Sequence, residues 1–360
     1  MLRIDLAAVV ANWRMLAARV APAACAAVVK ADGYGLGAAR VAAALSAAGC
    51  RCFFVAHLAE AVALRDVLGP EPVVQVLNGL PPGTEPVFVH RGLWPVLNSL
   101  DQVERWHHHA RAAGRPLPAS LQLDTGMSRF GLPSPDLDRL AAHPAMLEGI
   151  DLRLVMSHLG CADDPADERN EQQRLLFERL RATLPAVPAS LAASSGIFLG
   201  RRFHLDLVRP GAALYGVPPQ NGSPNPMRPV VRLEGRVVQL RAVPAGAWVG
   251  YGARFEAVAP MRIATVAVGY ADGFLRAGGG RGIATLPEGG PALPIIGRIS
   301  MDSLGVDVSA LPPERLREGD TLDLIGPHRP LADAAAAAGT IGYEMLTSLG
   351  QRYHRRYEGG

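Results

Sequence analysis

The sequence predicts an α/β protein: an N-terminal (β/α)8 TIM barrel over residues 1–222, followed by a C-terminal mainly-β domain over residues 223–360. Three observations predict this. Eight short apolar runs alternate with helical-looking segments up to residue 209. A segment rich in Pro, Gly and Asn, VPPQNGSPNPMRP, then interrupts the pattern. Beyond it, the apolar runs are short, bounded by turns and rich in β-branched residues, which is typical of an all-β domain.

The eight runs of the first part are predicted barrel strands. They are AAVVK (26–30), CFFVA (52–56), VVQVL (73–77), WPVLN (94–98), SLQLD (120–124), LRLVMSH (152–158), SLAAS (190–194) and HLDLVR (204–209). Segments such as GAARVAAALSAAG and ERNEQQRLLFERLRATL separate them and read as helices. Apolar strands that alternate with helices indicate a parallel sheet, and eight such units favour a closed barrel. A doubly wound open sheet is the alternative.

The second part is predicted to be mainly strands. The segments that carry this prediction are VVRLEGRVVQLRAV, AWVGYGARF, RIATVAVGYADG, ALPIIGRISMDSLGVDV and DTLDLIG. A single helical segment, ADAAAAAGTIGYEMLTSLGQR, is expected near the end of the chain.

Composition narrows the class of protein. Hydrophobic residues make up 49% of the chain, which excludes a disordered protein, and the net charge is only +3. This balance predicts neither a nucleic acid nor a membrane surface as partner. The four cysteines form no CxxC pair, no signal peptide is apparent, and no run of about 20 apolar residues occurs. A cytoplasmic protein with reduced thiols is expected.

Lys30 is the first candidate for chemistry, because it ends the predicted first strand of the barrel. Active sites of such barrels lie at the carboxyl ends of the strands. A partly desolvated lysine there has a lowered pKa and can form a Schiff base with a carbonyl group. The alternative is a lysine at the barrel rim whose amine reaches out to water.

A predicted phosphate site faces this lysine. In barrels of this type, phosphates bind after strands 7 and 8, where the sequence has AASSG (192–196) and VRPGAALYG (208–216). Ser194 or Ser195 offers a hydroxyl, and Gly211 allows close approach of the backbone. A lysine opposite a phosphate site predicts pyridoxal 5′-phosphate as cofactor, with its aldehyde bound to the lysine and its phosphate bound at the other end. Arg209 would leave the pyridine nitrogen of that cofactor unprotonated, or else would form a structural ion pair.

These residues belong to a set of motifs in which the chain resembles the bacterial alanine racemase family. The motifs are AVVKADGYGLG (27–37), LDTGMSRFG (123–131), MSHLG (156–160), VRPGAALYG (208–216), VGYGARF (249–255), VGYADG (268–273), GRISMD (297–302) and IGYE (341–344). They cover nearly the whole chain.

The resemblance implies a pyridoxal-phosphate enzyme that interconverts L-alanine and D-alanine with two bases. Lys30 would hold the cofactor and act as one base, and Tyr251 of the partner subunit as the other. Two bases suit the chemistry, because racemisation removes a proton from one face of Cα and adds one to the opposite face. The resemblance further implies a homodimer with shared active sites, no metal, and D-alanine for peptidoglycan.

Further roles follow by resemblance alone. His158 and then Arg209 would surround the tyrosine base. Arg129 would contact the cofactor and the substrate carboxylate, and the backbone of Met301 would meet that carboxylate from the partner subunit. The expected cofactor-binding residues are Lys30, Tyr34, Arg129, His158, Ser195, Arg209, Gly211, Ala212 and Tyr343. The expected gate to the site includes Tyr270 and Asp302, together with Arg276 and Arg355.

Gln122 departs from the family pattern. Many members have a carbamylated lysine at this position, whose negative charge orients the motif arginine. A neutral amide can accept a hydrogen bond from Arg129 but cannot neutralise it. We therefore expect activity that is independent of bicarbonate. Removing bicarbonate from the assay tests this: a loss of activity that added bicarbonate restores would contradict it.

Three other functions fit parts of the sequence. A racemase acting on serine or another small amino acid would keep every motif, since the sequence does not size the pocket. A pyridoxal-phosphate carrier would have the barrel and the lysine but would lack the C-terminal domain. A decarboxylase of basic amino acids would share the architecture but would need an acidic partner at the pyridine nitrogen, where this chain has Arg209.

Overall fold

A computed structural model describes residues 1–359 of the chain. The chain begins with strand β1 (Leu2–Asp5), which lies outside the barrel, and continues into helix α1 (Leu6–Val20). The Asp5 carboxylate accepts a hydrogen bond from the Ala8 N–H group at 2.8 Å. That bond satisfies one of the amides that the first turn of a helix leaves without a partner.

Parallel strands then form the barrel. They are β2 (Ala24–Cys25), β3 (Ala27–Val28), β4 (Cys52–Val55), β5 (Val73–Val76), β6 (Trp94–Leu97), β7 (Leu117–Gln122), β8 (Ile150–Met156), β9 (Ala189–Ser190) and β10 (Leu207–Val208). Strands β3 to β9 pair in chain order, and β10 pairs with β2, the first half of the opening strand. Backbone bonds from Asp206 N to Ala189 O (3.1 Å) and from Arg209 N to Ala192 O (2.9 Å) join the last two strands. The predicted barrel is confirmed.

Helices lie between the strands: α2 (Lys30–Tyr34), α3 (Ala38–Ala47), α4 (Leu58–Leu68), α5 (Glu85–Arg91), α6 (Leu100–Ala113), α7 (Ser134–Ala142) and α8 (Arg169–Arg181). Short 3₁₀ turns at Gly196–Leu199, Arg201–Phe203 and Ala212–Tyr215 follow the last two strands instead of α-helices. The predicted strands at 26–30, 190–194 and 204–209 are longer than the strands of the structure. The regular strands end at Val28, Ser190 and Val208, where the turn at Lys30 and the loops with the 3₁₀ turns begin.

The C-terminal part is mainly β, as predicted. Its strands are β11 (Val231–Val243), β12 (Trp248–Val249), β13 (Phe255–Glu256), β14 (Met261–Val266), β15 (Ile283–Ala284), β16 (Leu293–Ile296), β17 (Leu304–Asp307), β18 (Thr321–Ile325) and β19 (Arg355–Glu358). The predicted final helix is two short helices, α9 (Leu331–Ala337) and α10 (Gly342–Ser348). They separate because Gly339 has a left-handed φ of 71°, which ends the first of them.

Strand β1 belongs to the C-terminal sheet. It pairs antiparallel with β11 and parallel with β19, so the sheet contains both ends of the described chain. The pairing fastens the start of the barrel to the second part, while the division at residue 222 stays a prediction. No helix within residues 1–359 combines the length and apolar character needed to cross a membrane.

Candidate active site

A cavity of about 1040 Å³ opens at the carboxyl ends of the barrel strands. Its walls come from the loops after the barrel strands and from α10, and both polar and apolar side chains line it. Of the residues predicted for the site, it brings together Lys30, Tyr34, Gln122, Arg129, His158, Ser195, Arg209, Gly211, Ala212 and Tyr343. A concave site of this size with several converging polar groups is the place where a small molecule would bind.

Lys30 is the only lysine in the 360-residue chain, although Lys and Arg together number 36. It lies two residues beyond the end of β3 and is half-buried in the cavity wall. Burial, and then the positive charge of Arg129, lower the pKa of its amine, while Glu60 opposes them. Desolvation favours the neutral amine, which is the form that acts as a nucleophile or base.

The turn after Lys30 is left-handed. Ala31, Asp32, Gly33 and Tyr34 have φ between 52° and 63°. Such a conformation costs roughly 1–2 kcal/mol for each residue that carries a Cβ atom. The turn places both Lys30 and Tyr34 in the cavity wall, so strained backbone is concentrated where the predicted chemistry lies.

Tyr34 forms a close contact with Gly211. Its ring packs on the ring of Tyr215, with centroids 4.7 Å apart. A Cβ atom added to Gly211 would lie 2.2 Å from the Tyr34 hydroxyl oxygen. Glycine is therefore needed here for the space it leaves.

Gly211→Ala is expected to displace the Tyr34 hydroxyl and to weaken cofactor binding by about tenfold or more, because a clash in a packed region costs typically 1–3 kcal/mol. Titration of the cofactor-free variant with pyridoxal phosphate, followed by absorbance, measures this. Gly278→Ala is the matched control, since the nearest atom to its added Cβ lies 3.8 Å away. Equal affinities of the two variants would contradict the expectation.

Hydrogen-bond donors converge beside Gly211. The Ser194 hydroxyl oxygen accepts bonds from Gly211 N (3.0 Å) and Ala213 N (3.1 Å). Between them, the Ala212 N–H group has no acceptor among the backbone and side-chain bonds of the described residues. In the same cavity, burial and then Asp163 raise the pKa of Tyr343, and a hydrogen bond with Ser195 lowers it. These hydroxyl and amide groups form a donor set suited to a phosphate.

Arg209 is 3% exposed and holds the loop that carries His158. Its Nη2 donates to the Ser157 carbonyl at 2.6 Å, and its Nη1 donates to the Ser190 hydroxyl. Burial lowers the pKa of Arg209 to about 10, so it stays charged at neutral pH. Burial, then Arg209, Arg129 and Lys30, lower the pKa of His158 to about 3, so its imidazole is neutral.

His158→Asn is expected to make the free energy of unfolding depend less steeply on pH between pH 7 and 5. The pKa of histidine in an unfolded chain is about 6.5, whereas burial and nearby positive charges lower the pKa of folded His158 to about 3. Between these values the unfolded chain binds the extra proton. The free energy of unfolding therefore falls with falling pH, by at most about 1.4 kcal/mol per pH unit. Urea unfolding at pH 7, 6 and 5 measures this, with exposed His108→Asn as control. A wild-type slope retained in His158→Asn would contradict it.

Arg129 follows a tight turn in which one Asp124 carboxylate oxygen accepts bonds from three successive N–H groups, at 2.9 to 3.1 Å. The Arg129 guanidinium lies 5.7 Å from the ring centre of Phe130. The expectation that Gln122 orients this guanidinium by a hydrogen bond is wrong, because no such bond joins the two side chains among the described residues. The Gln122 amide donates to the Phe130 carbonyl at 3.4 Å. It contacts the backbone next to Arg129 because the loop brings that carbonyl over the end of β7.

Four predicted residues lie on the surface of the C-terminal part instead of in this cavity. Tyr251 is 72% exposed, Met301 53% and Tyr270 41%. Asp302 is exposed and paired with Arg352 at 2.9 Å. The single chain therefore does not assemble them with Lys30.

The two arginines expected at the gate differ in their surroundings. Arg276 begins a 3₁₀ turn. The Arg355 guanidinium donates to the backbone carbonyls of Gly35, Leu349 and Gly350, at 2.6 to 3.3 Å. Arg355 thus ties β19 to the left-handed turn, which is a structural contact.

Two residues of the site were missed in the sequence. The Glu60 carboxylate bonds to the backbone beside Lys30. Gln173 holds the His158 loop, because it accepts a bond from Gly160 N (2.8 Å) and donates to the His158 carbonyl (3.1 Å). The signal for Glu60 was present, since an acidic residue three positions after the N-cap residue, here His57, is typical of a capping box. No sequence signal marked Gln173.

Two family models match the chain: the alanine racemase N-terminal domain over residues 4–219 and the alanine racemase C-terminal domain over residues 230–357. The chain belongs to the alanine racemase family. It is 55% identical over 359 residues to a catabolic alanine racemase of Mesorhizobium japonicum, an alignment that covers 100% of this chain and 93% of the relative. An alanine racemase of Brucella canis is 50% identical over 369 residues, with 99% and 93% covered.

The fold of the chain is also similar to solved structures of alanine racemases. The crystal structure of alanine racemase from Bartonella henselae with covalently bound pyridoxal phosphate has a TM-score of 0.95 and 43% identity, and 99% of each chain is covered. The resemblance and the enzyme class expected from the sequence, an alanine racemase, are confirmed.

Proposed function

We propose that the cavity holds pyridoxal 5′-phosphate, covalently attached to Lys30. The observation that carries the proposal is the chain's only lysine, half-buried and opposite a set of hydrogen-bond donors suited to a phosphate. The Ser195 and Tyr343 hydroxyls, the Tyr34 hydroxyl beside Gly211, and the Ala212 N–H group would hold the phosphate. The Bartonella henselae relative with covalently bound cofactor supports this assignment.

Within this site, Arg209 would contact the ring nitrogen and Arg129 the substrate carboxylate. When bound, the cofactor supplies an electron sink that makes the α-proton of an amino acid acidic. Arg209 remains charged at neutral pH, so it would donate a hydrogen bond to the ring nitrogen without giving up a proton to it. Neutral His158 accepts or donates a hydrogen bond without adding a charge beside Lys30.

We propose a two-base reaction in a homodimer. The Tyr251 phenolate oxygen of the partner subunit would accept the α-proton of L-alanine, and the protonated Lys30 amine would deliver a proton to the opposite face. The reverse reaction exchanges these roles. The support is that Tyr251 and Met301 are exposed on this chain and absent from its own cavity, so a second copy would have to supply them. Tyr270 and Asp302 would form the substrate gate at the same contact.

Chiral chromatography tests the reaction. L-alanine, L-serine and L-lysine are each incubated with the cofactor-loaded protein, and the two enantiomers are quantified over time. D-alanine that forms fastest and approaches an equal mixture is the expected result. If serine or lysine racemises faster than alanine, that amino acid is the preferred substrate. If the protein binds the cofactor but racemises none of the three, the chain is better explained as a pyridoxal-phosphate carrier.

In the cell, we propose that the enzyme is cytoplasmic and supplies D-alanine for peptidoglycan. A second candidate is breakdown of D-alanine, since the Mesorhizobium japonicum relative carries the name catabolic alanine racemase. Deleting the gene that encodes this chain distinguishes supply of D-alanine from its breakdown. A strain that then requires D-alanine for growth supports supply, whereas a strain that grows but no longer uses D-alanine as a nutrient supports breakdown.

A further inference from the structure

Glu60, in the first turn of α4, joins the residue after Lys30 to the end of the neighbouring strand. Its Oε1 accepts a bond from Ala31 N at 2.6 Å, and its Oε2 accepts bonds from Ala56 N at 2.8 Å and His57 N at 3.0 Å. Capping of α4 explains the bond to His57. It does not explain the bond to Ala31, which lies 29 residues earlier in the chain.

The bond to Ala31 fixes the left-handed turn. Ala31, Asp32 and Tyr34 carry Cβ atoms in the left-handed region, so the turn needs contacts that compensate for its cost. Asp32 contributes one of them, because its carboxylate accepts a bond from Ala38 N at 2.8 Å. Glu60 contributes the other contact at the start of the turn, directly beside Lys30.

Glu60 also acts on the charge of the Lys30 amine. The charged or titratable groups that face this amine are Arg129, His158 and Glu60. Arg129 is positive and His158 is neutral, so Glu60 is the only negative member of the three. Burial and Arg129 lower the pKa of Lys30, and Glu60 raises it.

We propose that Glu60 is a positioning residue for Lys30: its carboxylate fixes the turn that carries the lysine and places negative charge at the residue that follows it. The inference rests on the proposed function for the use of Lys30 in racemisation. The contacts between Glu60 and the turn do not depend on that use.

The single lysine makes the test direct. Reductive methylation of the full-length, cofactor-free protein across a pH series, followed by peptide mass analysis, reports the Lys30 titration separately from the Met1 α-amino group. Glu60→Gln keeps the shape of the side chain but removes its charge and one of its two accepting oxygens. Glu60→Asp keeps the charge but shortens the reach. Glu85→Gln is the matched control, because Glu85 is a buried glutamate in the first turn of the next helix, paired with Arg105 at 3.1 Å.

Glu60→Gln is expected to lower the Lys30 labelling midpoint by about one pH unit, since the variant loses a negative charge that favours the protonated amine. It should also lower kcat/KM by about 10- to 100-fold. In Glu60→Asp the midpoint should move less, while kcat/KM should still fall, because the shorter side chain cannot bridge both loops. Glu85→Gln should change the melting temperature without moving the midpoint.

Two results would overturn the proposal. One is a folded Glu60→Gln variant with the wild-type midpoint and wild-type kcat/KM. The other is failure of both Glu60 variants to fold while Glu85→Gln folds, which would make Glu60 a residue of the scaffold. If the wild type racemises no alanine but Glu60→Gln still shifts the midpoint, the proposed function fails and the effect of Glu60 on Lys30 stands.

Discussion

Lys30→Ala is expected to lower the rate of alanine racemisation at least about 10⁴-fold, because the variant loses both the covalent attachment of the cofactor and one base. The loss should appear in both directions, from L-alanine and from D-alanine. D-alanine formation measured by chiral chromatography gives the rate. The mass of the borohydride-reduced protein gives the attachment, since the wild-type chain should gain one cofactor at Lys30 and the variant none.

Lys30→Arg is the matched control for charge. It restores a positive group at the same position, but a guanidinium cannot lose its proton near neutral pH and so can neither attack a carbonyl nor act as a base. We expect it to be as inactive as Lys30→Ala. Every other Lys or Arg position of the chain holds arginine. Activity of Lys30→Arg within about tenfold of the wild type would contradict the assignment.

The barrel and the cavity residues were predictable because their signals are local. Each strand is an apolar run, and the position of Lys30 after the first run indicates which end of the barrel it occupies. The serine and glycine motifs after the last two strands are also local, and the structure brings them into one cavity with Lys30.

Other features depend on contacts between distant residues, which no local pattern shows. Residues 2–5 fall within the range predicted for the barrel, yet they form strand β1, which pairs with β11 and β19, more than 200 residues away. The bond from Glu60 to Ala31 and the contact of Gln122 with the Phe130 carbonyl are likewise set by how loops meet. The left-handed turn at Ala31 and Asp32 contradicts local propensity, and strain of this kind is found where function requires it.

Tyr251→Phe is expected to reduce racemisation by about 10²- to 10⁴-fold, since it removes one general base and leaves the other. The reduction should be larger for removal of the α-proton from L-alanine than from D-alanine. Exchange of that proton in deuterated water, measured for each enantiomer, tests the difference. Tyr357→Phe, which removes a hydroxyl from strand β19, is the control. Equal loss of exchange for both enantiomers would contradict the assignment of faces.

Mixing Lys30→Ala with Tyr251→Phe tests whether the tyrosine comes from the partner subunit. Each variant alone is inactive in both sites of its dimer. In a mixed dimer, one site has both substitutions, whereas the other combines an intact Lys30 with an intact Tyr251. Random exchange of subunits places half of the molecules in mixed dimers, so about a quarter of the wild-type activity should return. If Tyr251 served its own chain, every site would lack one base, and mixing would restore nothing.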